Sequence, residues 1–82
     1  MNNRWVLLKR RGCKPCEKME SYLRFRLEQV PDAFCAIDVD ADETLKQAYG
    51  LRVPVLLHLD QVISEGKWEI ERIEESLKQA GY

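Results

Sequence analysis

Two cysteines, Cys13 and Cys16, are the residues of this sequence whose spacing is best suited to chemistry. Cysteines three positions apart can close a small disulfide ring, or they can present one reactive thiolate. The apolar run before them, residues 5–8, is typical of a buried strand, and residues 17–30 after them carry helical spacing. A Cys-x-x-Cys motif between a strand and a helix therefore predicts redox chemistry, with metal binding as the alternative.

The two cysteines have different expected roles. Cys13 should lie where the helix begins, so that unpaired N–H groups and the positive end of the helix dipole favour its thiolate. The nearby cations Arg11, Lys14 and Lys18 should favour the thiolate further. We expect Cys13 to attack a substrate disulfide as the nucleophile. Cys16, about one turn inside the helix and more buried, should then attack the mixed disulfide as the resolving thiol.

Zinc binding would need four ligands, and Cys35 and His58 could complete that number with the cysteine pair. These two residues fall on separate predicted strands, and no second pair of ligands accompanies Cys13 and Cys16. Cys35 is otherwise expected to be an inert core cysteine, as most free cysteines are. His58 is expected to be a surface or edge-strand residue. The missing second pair favours the redox interpretation.

The composition restricts the class of protein. The chain has 82 residues, with 45% hydrophobic and 33% charged residues, which predicts one small, soluble, folded domain over residues 1–82. No apolar run is long enough for a transmembrane helix, and the first apolar run is too short for a signal peptide. We therefore expect a cytoplasmic monomer without a membrane partner.

The charge is distributed unevenly around the motif. The net charge of −1 argues against a nucleic-acid partner, yet Arg10, Arg11, Lys14 and Lys18 surround the cysteines. These cations form either an ordinary solvated surface or a site that stabilises the thiolate and attracts an anionic partner.

Periodicity and turn signals predict the element order βαβαββα. The predicted strands are residues 4–9, 33–39, 55–58 and 62–63, and the predicted helices are residues 15–29, 42–49 and 68–79. Gly50 is expected to end the second helix as a left-handed C-cap. A right-handed crossover makes the first two strands parallel, and a hairpin adds the fourth strand antiparallel to the third. The predicted fold is α/β, a four-stranded mixed sheet flanked by three helices.

The first helix carries one apolar stripe, and Phe25 lies off that stripe. Phe25 should therefore be covered on a second side of the helix or be a surface residue. The members of the stripe are Met19, Tyr22, Leu23, Leu27 and Val30.

These features resemble the glutaredoxin and thioredoxin superfamily, and in particular its small glutaredoxin-like proteins. The resemblance rests on the Cys-Lys-Pro-Cys motif between a strand and a helix, and on residues 37–40 leading to Leu45, Tyr49 and Gly50. It continues with Val-Pro at residues 53–54 and a hairpin that ends near Gly66 before the last helix. These parts span nearly the whole chain in the order of the family.

The resemblance implies a thiol–disulfide oxidoreductase that reduces protein disulfides or glutathione-mixed disulfides. Its redox-active disulfide would join Cys13 and Cys16. It also implies a cis peptide bond before Pro54, which would place the Val53 backbone beside the Cys13 sulfur. A peptide or glutathione could then pair with that backbone like an added strand.

Three charged residues complete the predicted substrate site with Val53 and Pro54. Arg11 and Lys14 flank the first cysteine, and Arg52 precedes the Val-Pro pair and could bind a substrate carboxylate.

The sequence departs from both branches of the superfamily. The tryptophan before the motif and the buried acid on the preceding strand, which thioredoxins share, are missing. Glutaredoxins often have an aromatic residue in the motif, Thr before Val-Pro, and Gly-Gly with an acid after the fourth strand. Here these positions hold Lys14-Pro15, Arg52 and residues 64–67.

We expect no bound cofactor. Electrons would come from glutathione or from a thioredoxin-reductase-type flavoenzyme, and the partners would be proteins that contain disulfides. The alternative hypothesis is a thioredoxin-fold binding or scaffold module whose cysteine pair holds a metal or is not catalytic.

Overall fold

The computed structural model describes residues 4–30 and 32–82, and it confirms the predicted order of strands and helices. One short 3₁₀ turn, Val39–Ala41, is added between the second strand and the second helix. Within the described ranges, no helix is both long and apolar enough to cross a bilayer. The elements are β1 Trp5–Lys9, α1 Lys14–Leu27, β2 Phe34–Asp38, α2 Glu43–Tyr49, β3 Val55–His58, β4 Gln61–Glu65 and α3 Ile70–Gln79.

The four strands form one mixed sheet in the order β2-β1-β3-β4. β1 runs parallel to β2 and antiparallel to β3, and β3 and β4 are antiparallel. Leu8, near the end of β1, pairs with Val55 at the start of β3. The segment that leaves β1 toward Cys13 and the segment that enters β3 through Pro54 therefore meet at the same edge of the sheet.

The larger core lies between the sheet and two helices, α1 and α3. Trp5, Leu7 and Leu56 of the sheet are fully buried against Leu23 of α1 and Leu77 of α3. Burying one such side chain contributes about 1.5–3 kcal/mol relative to leaving it in water. This packing fixes the start of α1 relative to the end of β1, and so fixes the position of the motif between them.

A smaller core lies on the other face of the sheet. Leu8, Val39 and Val55 are buried there, and Leu45 and Tyr49 of α2 pack over them. Because both faces are covered near the end of β1, the edge that carries the cysteines is supported from two sides.

Gly50 does not end α2 in the predicted left-handed conformation, so that prediction is wrong. Its φ is −54°, which is right-handed. A Cβ at this position would lie 2.5 Å from the carbonyl oxygen of Lys46. Glycine is therefore required by a close backbone approach and not by a positive φ.

The ends of the other elements also shift. The sequence predicts the hairpin turn at Asp60 and Gln61. The turn instead consists of Leu59 and Asp60, with φ values of 54° and 63°, and Gln61 begins β4. β4 is longer than predicted. Its ends are set by backbone pairing with β3, which does not require an apolar sequence pattern. α3 begins at Ile70, two residues later than predicted, and Trp68 before it packs edge-on against Tyr22 with ring centroids 5.3 Å apart.

The exposure of individual helix side chains agrees with the predicted apolar faces at some positions and differs at others. Phe25 is 69% exposed, in agreement with the surface alternative. α1 ends at Leu27, so Val30 lies beyond the helix and is exposed. In α2, helical spacing predicts that Ala48 faces inward together with Leu45 and Tyr49, but Ala48 is exposed.

Candidate active site

Cys13 is the N-cap residue of α1 and is bonded to Cys16 by a disulfide. Its backbone is extended, with φ −92° and ψ 105°, and its sulfur accepts a hydrogen bond from the Cys16 N–H at 3.2 Å. The Cα atoms of the two cysteines are 5.2 Å apart. The first turn of the helix thus directs a backbone donor at the Cys13 sulfur, where it would stabilise a thiolate.

The two cysteines differ in exposure. Cys13 is partly exposed, whereas Cys16 is 1% exposed. Gly12 precedes Cys13 with a φ of +80°, a left-handed conformation that a residue with a side chain rarely adopts. This turn delivers the chain from β1 to the helix start with Cys13 on the outside.

Arg10 joins the loop before the cysteines to two other segments. Its Nε donates to both carboxylate oxygens of Asp40, at 3.2 and 3.1 Å, and its Nη1 donates to the Gly50 carbonyl at 3.1 Å. The hydrogen bond from Arg10 lowers the pKa of Asp40 below its usual value and raises the pKa of Arg10 itself. Arg10 is therefore held in place and anchors the loop that leads to Pro54.

The peptide bond between Val53 and Pro54 is cis. Pro54 is buried, Val53 is partly exposed, and the Pro54 carbonyl accepts a hydrogen bond from the Gly66 N–H at 2.9 Å. The register of β1 and β3 brings this segment to the edge that carries Cys13. The structure therefore brings together the predicted nucleophile and the predicted substrate-pairing backbone.

Arg52, the predicted carboxylate-binding residue, already holds a carboxylate of this chain. Its Nε and Nη2 donate to Glu65 at 2.6 and 2.9 Å, and its guanidinium lies 5.0 Å from the centre of the Tyr49 ring. The hydrogen bond from Arg52 lowers the pKa of Glu65. A substrate carboxylate would have to compete with Glu65 for this guanidinium.

A cavity of about 310 Å³ lies beside the otherwise buried Cys16. Its lining includes the charged residues Lys9, Arg11, Glu20 and Asp38. Glu20 follows Cys16 by four positions on α1, so the two side chains share one helix face. The cavity places charged side chains beside the cysteine that must exchange a proton when the disulfide forms or breaks.

Glu20 forms ion pairs with two cations, of which Lys9 also lines this cavity. Lys9 Nζ and Arg24 Nη2 each lie 2.8 Å from one of its carboxylate oxygens, and its side chain is 19% exposed. The hydrogen bond from Lys9 is the main reason that the pKa of Glu20 is lowered. The ionised form is therefore stabilised in the folded state.

We expect Glu20→Gln to lower the free energy of unfolding by about 1 kcal/mol near pH 7. A lowered folded pKa adds stability above the unfolded pKa, and that stability is lost as the pH falls through the folded pKa. The difference between Glu20→Gln and wild type should therefore shrink near pH 3, as urea unfolding at the two pH values would show. Glu75→Gln, an exposed position on α3, is the control, and an equal loss there would contradict the prediction.

Cys35 and His58 lie away from the cysteine pair. Cys35 of β2 pairs with Val6 of β1, and His58 of β3 stacks on Trp5 with ring centroids 3.8 Å apart, so both lie toward the start of β1. Cys13 follows the opposite end of that strand. His58 belongs to an interior strand rather than an edge strand. Over residues 4–30 and 32–82, no three His, Cys, Asp or Glu side chains group as metal ligands would.

The sequence did not reveal the partners of Arg10 and Arg52, because Asp40 and Glu65 lie far along the chain. The position of Glu20 beside the resolving cysteine could have been predicted, because Glu20 follows Cys16 by four positions in α1.

The chain is similar to known proteins in both sequence and fold. Residues 4–78 match the family model described as Glutaredoxin-like domain (DUF836). No curated protein matches the sequence. The solution NMR structure of protein Ne2328 from Nitrosomonas europaea is 27% identical, with a TM-score of 0.69, over 93% of this chain and 92% of that one.

Two thioredoxins share the fold. The X-ray structure of Fasciola hepatica thioredoxin is 16% identical with a TM-score of 0.65, and the match covers 95% of this chain and 82% of that one. Thioredoxin Deadhead from Drosophila melanogaster is 21% identical with a TM-score of 0.61 over the same shares of the chains. These likenesses establish a thioredoxin-like fold.

Proposed function

Because this chain belongs to the glutaredoxin-like domain family, we propose that it is a thiol–disulfide oxidoreductase that works through Cys13 and Cys16. One observation carries the proposal. The Cys13 sulfur caps α1, accepts the Cys16 N–H, and lies at the sheet edge where Val53–Pro54 enters β3. This arrangement offers a stabilised thiolate, a second thiol within disulfide distance, and a backbone segment with which a substrate strand could pair.

The proposed reaction transfers two electrons from the cysteine pair to a substrate disulfide. The Cys13 thiolate attacks one substrate sulfur, the substrate S–S bond breaks, and the released substrate thiolate takes up a proton. Cys16 then loses its proton and attacks the Cys13 sulfur, which breaks the mixed disulfide and releases the second substrate thiolate. The products are the reduced substrate and the Cys13–Cys16 disulfide.

The difference in exposure supports this division of roles. An incoming disulfide can approach Cys13, whereas Cys16 is 1% exposed and can be reached through the mixed disulfide on Cys13. We propose that Arg11 and Lys14, both exposed, and the Val53–Pro54 segment contact the substrate. Arg52 would contribute only after release from Glu65.

The proposed substrates are protein disulfides or glutathione-mixed disulfides, reduced by a monomer in the cytoplasm. Cytoplasmic thiol donors keep such cysteine pairs reduced. The electron donor would be glutathione or a thioredoxin-reductase-type flavoenzyme, since either couple can reduce an exposed catalytic disulfide.

The test is turnover with two substrates and two electron donors. Insulin and a glutathione-mixed disulfide of a small thiol serve as substrates, with either glutathione plus glutathione reductase or thioredoxin reductase, and NADPH oxidation is followed. We expect turnover with at least one donor, and the same rate from Cys35→Ser, which leaves the pair intact. No turnover in any combination, together with stoichiometric zinc in the purified protein, would favour a metal-binding module.

A further inference from the structure

Two of the cations near the cysteines are neutralised by the chain itself. Arg10 is held by Asp40 at 3.0 Å, and Arg52 is held by Glu65 at 2.6 Å. These guanidinium groups position loops, and a partner could use them only by displacing a carboxylate. They contribute little net positive potential to the surface.

Three other cations differ in this respect. Arg11, Lys14 and Lys18 are exposed, and their side chains take part in no ion pair within residues 4–30 and 32–82. Lys14 and Lys18 are four positions apart on α1 and therefore share one helix face, while Arg11 lies in the loop just before Cys13. Glu17 is the single acid between residues 11 and 18. Asp38 also lines the cavity beside Arg11, whereas Glu20 is already paired with other cations. Three cations without an ion pair in the described residues therefore lie near two such acids, Glu17 and Asp38, and the surface formed by Arg11, Lys14 and Lys18 keeps an excess of positive charge.

This positive surface is local, since the whole chain has a net charge of −1. It cannot attract every anion from a distance, because potentials fall off within a Debye length of about 8–10 Å. The positive surface can stabilise a bound substrate whose negative charges lie close to Cys13. Selection should therefore depend on the residues that flank a substrate disulfide and not on the total charge of the substrate.

The length of the surface favours a polypeptide partner. A helix rises about 1.5 Å per residue, so Lys18 lies on the order of 7 Å along the axis from Cys13. Acidic side chains a few residues from a disulfide span this distance, because an extended chain advances about 3.3 Å per residue. We propose that the Arg11, Lys14 and Lys18 surface selects protein partners whose reacting disulfide is flanked by acidic residues. This inference rests on the proposed oxidoreductase function.

The experiment uses three peptides that contain the same disulfide loop and differ only in flanking residues, which are acidic, neutral or basic. The protein is reduced, freed of reductant and mixed with each peptide, and a single transfer of two electrons is followed by mass spectrometry. This design needs no knowledge of the physiological donor. At low ionic strength we expect the acidic peptide to react about tenfold faster than the basic peptide. Near 1 M salt the ratio should fall below about twofold.

Lys18→Glu is the test variant, because Lys18 is farther from the reacting sulfur than Lys14. It should reduce the acidic-to-basic ratio to about threefold or less at low salt. A change in the Cys13 thiolate would alter the rates of all three peptides alike, so the acidic-to-basic ratio isolates the selection by flanking charge. Alkylation with uncharged iodoacetamide measures the reactivity of the thiolate separately. Lys78→Glu is the matched control, with the same charge change in the last turn of α3, and it should keep the wild-type ratio.

The outcomes separate this inference from the proposed function. Equal rates for all three peptides with wild-type protein would overturn the acidic-partner proposal and leave the oxidoreductase function intact. An equal drop in the ratio for Lys78→Glu would also overturn it, because the effect would then be one of total charge. Failure to reduce any of the peptides would overturn both proposals.

Discussion

Replacing Cys13 with serine is expected to lower the rate of disulfide reduction by on the order of a thousandfold or more, as loss of a nucleophile does in other enzymes. A serine hydroxyl is not ionised at neutral pH and cannot form the disulfide intermediate, although it can accept the Cys16 N–H as an N-cap. The fold should therefore survive while the chemistry is lost. Turnover with insulin and the circular dichroism of the variant are the measurements.

Cys16→Ser should give a different result from Cys13→Ser. The thiolate of Cys13 would remain, so a mixed disulfide with the substrate should form and persist, because no second thiol releases it. Mass spectrometry of the protein after mixing with substrate would show one adduct, mapped to Cys13. Cys35→Ser is the control and should behave as wild type. Turnover that survives Cys13→Ser, or an adduct mapped to Cys35, would contradict the assigned roles.

The second large effect is expected on stability, from Leu23→Ala in α1. Leu23 is 0% exposed in the larger core, so its truncation removes buried apolar contacts and leaves a cavity. Such substitutions cost about 2–5 kcal/mol. For a small domain this is a large share of a total stability of about 5–15 kcal/mol.

Phe25→Ala is the matched control for Leu23→Ala. It removes a larger side chain two positions further along the same helix, but Phe25 is 69% exposed and the cost should be within about 0.5 kcal/mol. Urea unfolding of both variants and wild type measures the difference. A loss at Phe25→Ala comparable to that at Leu23→Ala would mean that a second core covers the outer face of α1.

The prediction of elements from sequence succeeded where burial or local geometry decides the structure. β1 and β3 are continuous apolar runs because both faces of the sheet are covered there, and the antiparallel pairing of β3 with β4 follows from the short connection between them. The cysteine motif was recognisable because its geometry is local, with both cysteines inside one helix start. The core position of Leu23 followed from helical spacing alone.

Other features depend on partners that are distant in sequence. Arg10 contacts Asp40 and Gly50, which follow it by thirty and forty positions, so the sequence did not show that this cation is neutralised. The turn at Leu59 and Asp60 contains no glycine, the residue that most often adopts a left-handed conformation. The sequence therefore predicts the turn one residue too late, at Asp60 and Gln61.

The position of Cys35 limits the oxidation states of the molecule. Three thiols could in principle form three different internal disulfides, but a disulfide needs Cα atoms within about 7 Å. Cys35 is aligned with Val6, which is three residues before the end of β1 and therefore about 10 Å from it. Cys35 also lies on one face of the sheet, whereas Cys16 belongs to α1, which packs on the other face. Internal oxidation thus has a single product, the Cys13–Cys16 disulfide, and the proposed redox cycle would interconvert three thiols and one without accumulating disulfide isomers.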